Sequence, residues 1–260
     1  MNRWTKLSID YARQKSYLDD LFQVYPTIPE GIRDIEESKW KAIESAFNNQ
    51  DNQKLISELL KMQLFPIKDS YIAYLKRDNS AIKLNPKTVN RICGRLYEMG
   101  LSKIFEKCSE PKETNRRIGP MFKQWLMKKS LGIMPVSIDE FTSTKDDAII
   151  DGTDSEMMAF AKQELNYNRD KGLDLVARFN GKYVIGEAKF LTDFGGHQNT
   201  QFEDAIRTIE DTNINAIRLA ILDGVLYIPG NNKMCKYISS PYKDYKIMSA
   251  LVLRDFLYQL

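Results

Sequence analysis

Two carboxylates and an ammonium group, those of Asp174, Glu187 and Lys189, fall within one strand-rich stretch of this sequence. Carboxylate oxygens are the ligands that Mg²⁺ prefers. A lysine beside such an ion can hold or deprotonate an attacking water and offset developing negative charge. A metal that contacts both a phosphate oxygen and a water would activate the nucleophile and stabilise the transition state. These residue types together indicate hydrolysis of a phosphodiester bond, provided that the fold brings them to one place.

The dipeptide Asn180-Gly181 predicts how the fold does so. Asn-Gly is the pair that best tolerates the two positive φ angles of a type I′ turn, and the residues on either side are rich in β-branched and aromatic types. Counting outward from a two-residue hairpin loop sets Asp174 opposite Glu187. The alternation of side chains along a strand puts Lys189 on the same face. The sequence therefore predicts a single cluster of three charged side chains on one hairpin.

Both strands of this predicted hairpin are apolar on each face. Val176 and Ile185 lie on the side of the carboxylates, and small or branched aliphatic residues lie on the other. The hairpin should therefore be central in a sheet, where burial worsens the repulsion between two opposed carboxylates. A divalent cation would relieve that repulsion. We expect Asp174, Glu187 and the backbone carbonyl of Ala188 to bind Mg²⁺.

Asp174, twelve intervening residues and then Glu187-Ala188-Lys189 resemble the motif of the PD-(D/E)xK nuclease superfamily. Within it, the chain is most similar to type II restriction endonucleases. The resemblance covers mainly Gly119 to Ile228, and Leu173 stands where the proline of the motif would be. It implies an α/β (α+β) fold, a restriction-endonuclease-like core with a mixed central sheet flanked by helices. It also implies catalytic roles for the three charged residues, with one or two Mg²⁺ ions per active site.

Further residues are candidates for the same site. An additional acid from a preceding helix often completes sites of this superfamily, and three residues stay open for that role: Glu164, Glu156 and Glu113. Candidate DNA contacts lie in two polar segments, one before the core and one after the catalytic strand. They are Lys112, Asn115, Arg116 and Arg117, then His197, Gln198, Asn199 and Gln201. The alternative for both segments is ordinary solvated surface.

The chain divides in two by its patterns. Residues 1–110 read as a helical N-terminal region, with amphipathic segments at Ile9–Val24, Ser38–Phe47, Gln53–Leu64, Lys68–Arg77, Lys87–Glu98 and Leu101–Cys108. Residues 111–260 read as the nuclease core, with strands expected near 148–150, in the hairpin, at 216–222 and at 225–228, and a closing helix at 248–257. The N-terminal region could serve DNA contact or dimerisation. A helix-turn-helix at 69–105 is one alternative, and a structural helical layer is the other.

Composition excludes several classes of protein. The net charge of +3 permits a nucleic-acid partner without requiring one. There is no run of eighteen apolar residues and no secretory signal pattern, so we expect no membrane association. Three widely spaced cysteines without a CxxC pair indicate free thiols in a reducing cytoplasm. The single histidine, His197, excludes a multi-histidine metal site.

The expected function is therefore Mg²⁺-dependent, sequence-specific cleavage of double-stranded DNA by a type II restriction endonuclease. A homodimer is expected because cutting both strands of a palindrome needs two sites related by a twofold axis. A cognate DNA methyltransferase is expected as a separate protein. Two alternatives stay open, a structure-specific repair or recombination nuclease and a non-catalytic DNA-binding protein on the same fold.

Overall fold

The computed structural model describes residues 1–27, 33–111 and 118–260. Contacts divide the chain into two compact units. We call Met1–Thr27 together with Glu113–Leu260 the sheet unit, and Ile28–Lys112 the helical unit. The first 27 residues lie with the sheet and not with the helices that follow them, in contrast to the expected helical region of residues 1–110.

Those first residues form two helices where the periodicity suggested one. They are α1 (Arg3–Ala12) and α2 (Tyr17–Val24). Ser16, between them, has φ +80°, so the chain turns there. The Thr5 hydroxyl donates to the Ile247 carbonyl at 2.7 Å, and Leu21 and Val24 are buried in the core of the sheet unit. The segment therefore belongs structurally to the sheet unit.

Six helices make up the described part of the helical unit: α3 (Glu37–Asn48), α4 (Asn52–Leu60), α5 (Ile72–Arg77), α6 (Ala81–Leu84), α7 (Pro86–Met99) and α8 (Leu101–Cys108). Pro86 occupies the first position of α7, where its missing N–H costs nothing. Gly100 ends α7 with φ +77°. The apolar stripes of these helices form a core of their own around Leu55, Ile92 and Leu96.

The sheet unit is built on five strands in the order β1-β2-β3-β4-β5. They are β1 (Ala148–Ile149), β2 (Leu175–Phe179), β3 (Lys182–Leu191), β4 (Ile217–Gly224) and β5 (Ile247–Met248). β1, β2 and β3 pair antiparallel, whereas β3, β4 and β5 pair parallel. The sheet is therefore mixed, and its central strand is β3.

Helices cover the sheet: α9 (Ile118–Leu126), α10 (Ile138–Ser143), α11 (Asp154–Glu164), α12 (Gly196–Glu210), α13 (Lys233–Ser239) and α14 (Ala250–Tyr258). The residues on the two faces of the hairpin enter two different apolar clusters. Leu175 and Val184 pack in one, and Val176 and Ile185 pack in the other. This confirms that the hairpin is central and buried on both faces.

The prediction of a strand at 225–228 is wrong. Val225–Tyr227 forms a short 3₁₀ helix because β4 ends at Gly224. Gly224 has φ +96°, and a Cβ there would lie 2.2 Å from the carbonyl oxygen of Leu191. The chain leaves the sheet at that glycine. In the described ranges of the chain, no helix is both long and apolar enough to cross a membrane.

Candidate active site

The hairpin has the register that its turn predicts. Asn180 and Gly181 have φ angles of +49° and +72°, as a type I′ turn requires. The β2–β3 ladder pairs Phe179 with Lys182, and Val176 with Ile185 three residues further on. Local sequence alone thus determines which residues of the two strands meet.

The pairing of Asp174 with Glu187 differs from the register counted outward from the turn. β2 begins at Leu175, so Asp174 lies just outside the ladder, and its backbone N–H donates to the Gly186 carbonyl at 3.1 Å. The expected ladder pair of Asp174 with Glu187 is therefore not formed. The Asp174 carboxylate instead accepts a 2.8 Å hydrogen bond from the Ala188 N–H through Oδ2. That bond fixes the carboxylate beside β3.

The three charged side chains nevertheless come together. Lys189 Nζ lies 2.5 Å from Glu187 Oε1 and 3.4 Å from Asp174 Oδ2. Glu187 is only 2% exposed and Asp174 only 7% exposed. Glu187 therefore has almost no access to bulk water.

A second lysine, absent from the sequence-based candidates, completes the cluster. Lys171 Nζ lies 3.0 Å from Glu187 Oε1 and 3.6 Å from Asp204 Oδ2. Lys171 precedes β2 in a loop, and Asp204 lies on α12, which packs on β3. No motif links these two residues to the hairpin, because their approach depends on how the loop and the helix pack. Glu187 therefore lies between two ammonium groups.

Burial and the neighbouring charges both shift the pKa values of Asp174 and Lys189. Burial raises the pKa of Asp174, Lys189 opposes the rise, and Glu187 adds to it, so the net pKa is raised. Burial would lower the pKa of Lys189, but Asp174 and Glu187 together raise it above its usual value. Lys189 is therefore held as an ammonium ion at neutral pH.

The donor chemistry of the cluster fits a divalent cation. Glu187 Oε2 is buried and has no hydrogen-bond partner among the described residues, although a buried carboxylate oxygen normally has one. Asp174 supplies a second carboxylate close by. Within the described ranges, no group of three or more His, Cys, Asp or Glu residues is arranged to hold a metal. Further ligands at this site would therefore be backbone carbonyls or water.

The structure does not bring Glu156 or Glu164 into this cluster. Glu156 is exposed, and its carboxylate accepts from the Thr153 N–H in the capping box of α11. Glu164 is exposed at the end of the same helix. Glu113 lies outside the described residues, as do Lys112, Asn115, Arg116 and Arg117. The acid that shares a lysine with Glu187 is Asp204.

The polar residues that follow β3, predicted as DNA contacts, lie on a helix. His197, Gln198, Asn199 and Gln201 all belong to the first turns of α12, which begins at Gly196. The side chain of Gln198 is buried, and its Oε1 accepts from the Thr192 N–H at 3.2 Å. Gln198 therefore supports the turn into α12, whereas His197 is exposed.

The family to which the chain belongs follows from a comparison with protein-family models. The model described as Tsp45I type II restriction enzyme matches residues 2–260. No curated protein matches the chain. No solved structure matches it. The match covers both units, and the charged cluster on β3 lies inside it. The chain belongs to the Tsp45I type II restriction enzyme family, and the protein is a restriction endonuclease.

Proposed function

We propose that this restriction endonuclease is a Mg²⁺-dependent enzyme of the PD-(D/E)xK type that hydrolyses double-stranded DNA at a specific sequence. The observation that carries the proposal is the buried cluster of Asp174, Glu187 and Lys189 on the central hairpin, with Glu187 Oε2 left without a partner. The match to a family of restriction enzymes supports a restriction endonuclease, in preference to a repair nuclease or a non-catalytic DNA-binding protein.

The ligands in this proposal are the carboxylates of Asp174 and Glu187 and the backbone carbonyl of Ala188. One or two Mg²⁺ ions, when bound, supply polarisation of the phosphodiester and activation of water. The protein holds the two carboxylates in place by different means. The Ala188 N–H fixes Asp174, and the two lysine ammonium groups fix Glu187.

Lys189 acts in its charged form. Its ammonium lies between two carboxylates that stabilise the charge, and its raised pKa is consistent with this. A charged ammonium donates hydrogen bonds but cannot accept a proton. Lys189 therefore orients the attacking water and offsets the negative charge that develops on the phosphate.

The enzyme works as a homodimer in this proposal because a symmetric recognition sequence requires two active sites. A separate cognate methyltransferase protects the host DNA. The three cysteines are free thiols, which suits a reducing cytoplasm as the place of action.

The decisive experiment is cleavage of several plasmids by the purified protein in Mg²⁺. We expect discrete fragments, none in EDTA, and loss of rate by about 100-fold or more in Asp174→Ala and in Glu187→Gln. The matched control is Asp170→Ala, since the Asp170 side chain is 95% exposed and pairs only with Lys162 in the described structure. Equal cleavage by Asp174→Ala and the wild type would exclude this active site.

A further inference from the structure

The basic charge of the chain is concentrated in one part of the helical unit. Residues 68–95 contain seven lysines and arginines and two acids, a net charge of +5, whereas the whole chain carries +3. The remainder of the chain is therefore net acidic. A local concentration of this kind attracts a polyanion, which the overall charge of the chain does not reveal.

Three of these residues form a line on α7. Lys87, Arg91 and Arg95 are spaced at i, i+4 and i+8, so they lie on one face of the helix, opposite the buried Ile92 and Leu96. All three are exposed. At 1.5 Å per residue they span about 12 Å along the helix axis, comparable with the width of the DNA major groove.

Several other lysines of this unit form ion pairs within their own helix or just beyond its end, as Arg95 does with Glu98. Lys39, Lys41, Lys61, Lys103 and Lys107 each pair with a glutamate three or four residues away. By contrast, Arg77, Lys83 and Lys87 have no acidic partner within the described structure. The positive charge of α5, α6 and α7 therefore remains available to bind a partner.

The exposed face of α7 also leaves room for a partner to approach closely. A Cβ at Gly94 would meet nothing within 4 Å, so no packing explains this glycine on the exposed face of α7, where it costs about 1 kcal/mol relative to alanine. Tyr71 is 60% exposed, and the Arg91 guanidinium lies over its ring at 5.7 Å. Asp69 holds Arg91 in position at 2.6 Å. Arg95 is also oriented, by Glu98 at 2.7 Å.

We infer that this basic face, formed by Tyr71, Lys87, Arg91, Gly94 and Arg95, binds double-stranded DNA. Lysine and arginine side chains contact phosphates, a tyrosine hydroxyl can do so as well, and the missing side chain at residue 94 lets the DNA backbone approach the helix. The inference rests on the proposed function for its partner. It assigns the helical unit a role in DNA binding separate from cleavage.

The test uses the full-length chain with Asp174→Ala, so that no DNA is cut. Binding to a fluorescein-labelled duplex of mixed sequence is measured by anisotropy in Ca²⁺ buffer over a range of salt concentrations. Replacing Lys87, Arg91 and Arg95 by glutamine should weaken binding about 10-fold to 100-fold at moderate salt, and should reduce the slope of log K against log salt by about 2 to 3.

The control replaces Lys39, Lys41 and Lys103 by glutamine, which removes the same charge from helices α3 and α8. We expect less than about a threefold change in affinity, since these lysines lie on α3 and α8 and not on the basic face of α7. A second variant, Gly94→Glu, adds a carboxylate to the face where there is open space, and should abolish binding while thermal unfolding stays unchanged or rises slightly.

The outcomes separate the two proposals. Equal binding by the glutamine triple variant and its control would overturn the inference, while plasmid cleavage would still stand. A triple variant that binds DNA normally but no longer dimerises in light scattering would assign the face to a second copy of the chain. Absence of salt-dependent DNA binding by the unaltered full-length protein would overturn both proposals.

Discussion

Glu187 is the residue on which the charges of the site converge. Its Oε1 contacts Lys189 at 2.5 Å and Lys171 at 3.0 Å, while its Oε2 is buried without a partner. Two ammonium groups on one oxygen compensate for the burial of two carboxylates. They also repel a cation that approaches the other oxygen. If the site binds Mg²⁺ as proposed, Lys171 should stabilise the metal-free form and weaken the affinity for metal.

This role predicts the effect of Lys171→Met. Without the second ammonium, divalent cations should bind more tightly, by roughly threefold to tenfold or about 1 kcal/mol. The metal-free protein should also melt at a lower temperature, because Glu187 and Asp204 lose their shared counter-ion. Calorimetric titration with Ca²⁺ and thermal unfolding with and without Ca²⁺ measure both effects.

The matched control for that variant is Lys162→Met. Lys162 pairs with Asp170, which is fully solvated, so its loss should leave Ca²⁺ affinity unchanged. If Lys171→Met bound Ca²⁺ more weakly than the wild type, Lys171 would be a support of the metal site and not a competitor of the cation.

At the scale of elements, Asp223 joins three parts of the sheet unit. Its carboxylate accepts from the Tyr25 hydroxyl at 3.1 Å, from the Ser249 hydroxyl and from the Ala250 N–H at 3.1 Å. It thereby links the end of β4 to the residue after α2 and to the N-terminus of α14. Complete burial raises the pKa of Asp223 from its usual 3.8 to about 6.

A raised carboxyl pKa predicts a pH dependence of stability with a definite sign. The folded state binds the proton more tightly than the unfolded state, so this contribution is fully present below pH 3.8 and is lost as pH rises through about 6. The shift corresponds to about 3 kcal/mol in the free energy of unfolding. Asp223→Asn cannot titrate, and should gain that much relative to the wild type between pH 4 and pH 7.

Urea unfolding of both proteins across this pH range measures the difference. The two curves should begin to separate near pH 3.8, and the separation should stay constant above about pH 6. Parallel curves throughout would show that Asp223 titrates as an ordinary carboxyl.

The sequence predicted local features of the site well and packed ones poorly. The Asn180-Gly181 turn and the alternation along β3 are local, so the register of the hairpin and the meeting of Glu187 with Lys189 could be counted. Lys171 and Asp204 could not be found, because a loop and a helix bring them in only through tertiary packing. The apolar run after Gly224 was too short to distinguish a strand from a 3₁₀ helix.

At the scale of the whole molecule, one unit is formed by a single segment of the chain and the other by two segments. The helical unit is one continuous segment with its own core. The sheet unit is discontinuous, since its first two helices precede the helical unit in the chain. Their amphipathic pattern showed that one face is buried, but not which surface buries it. That is why the boundary expected near residue 110 missed the return of residues 1–27 to the sheet.

This arrangement predicts opposite behaviour for two fragments. Residues 28–112 should fold alone into a helical domain that melts cooperatively, because their buried apolar residues pack against one another. Residues 113–260 should not, because they lack Leu21 and Val24 in the core and the hydrogen bonds that reach Asp223 and Ile247 from the missing segment. Circular dichroism with thermal melting checks both fragments.

Removal of residues 1–27 alone should affect the two units differently. Removing residues 1–27 from the full chain should destabilise the sheet unit and abolish cleavage, yet leave the melting of the helical unit unchanged. The Ser249 N–H would lose its bond to the Ser8 hydroxyl, and Asp223 would lose Tyr25. If residues 113–260 melted cooperatively at the temperature of the full chain, α1 and α2 would be an accessory layer and the nuclease core would begin after residue 112.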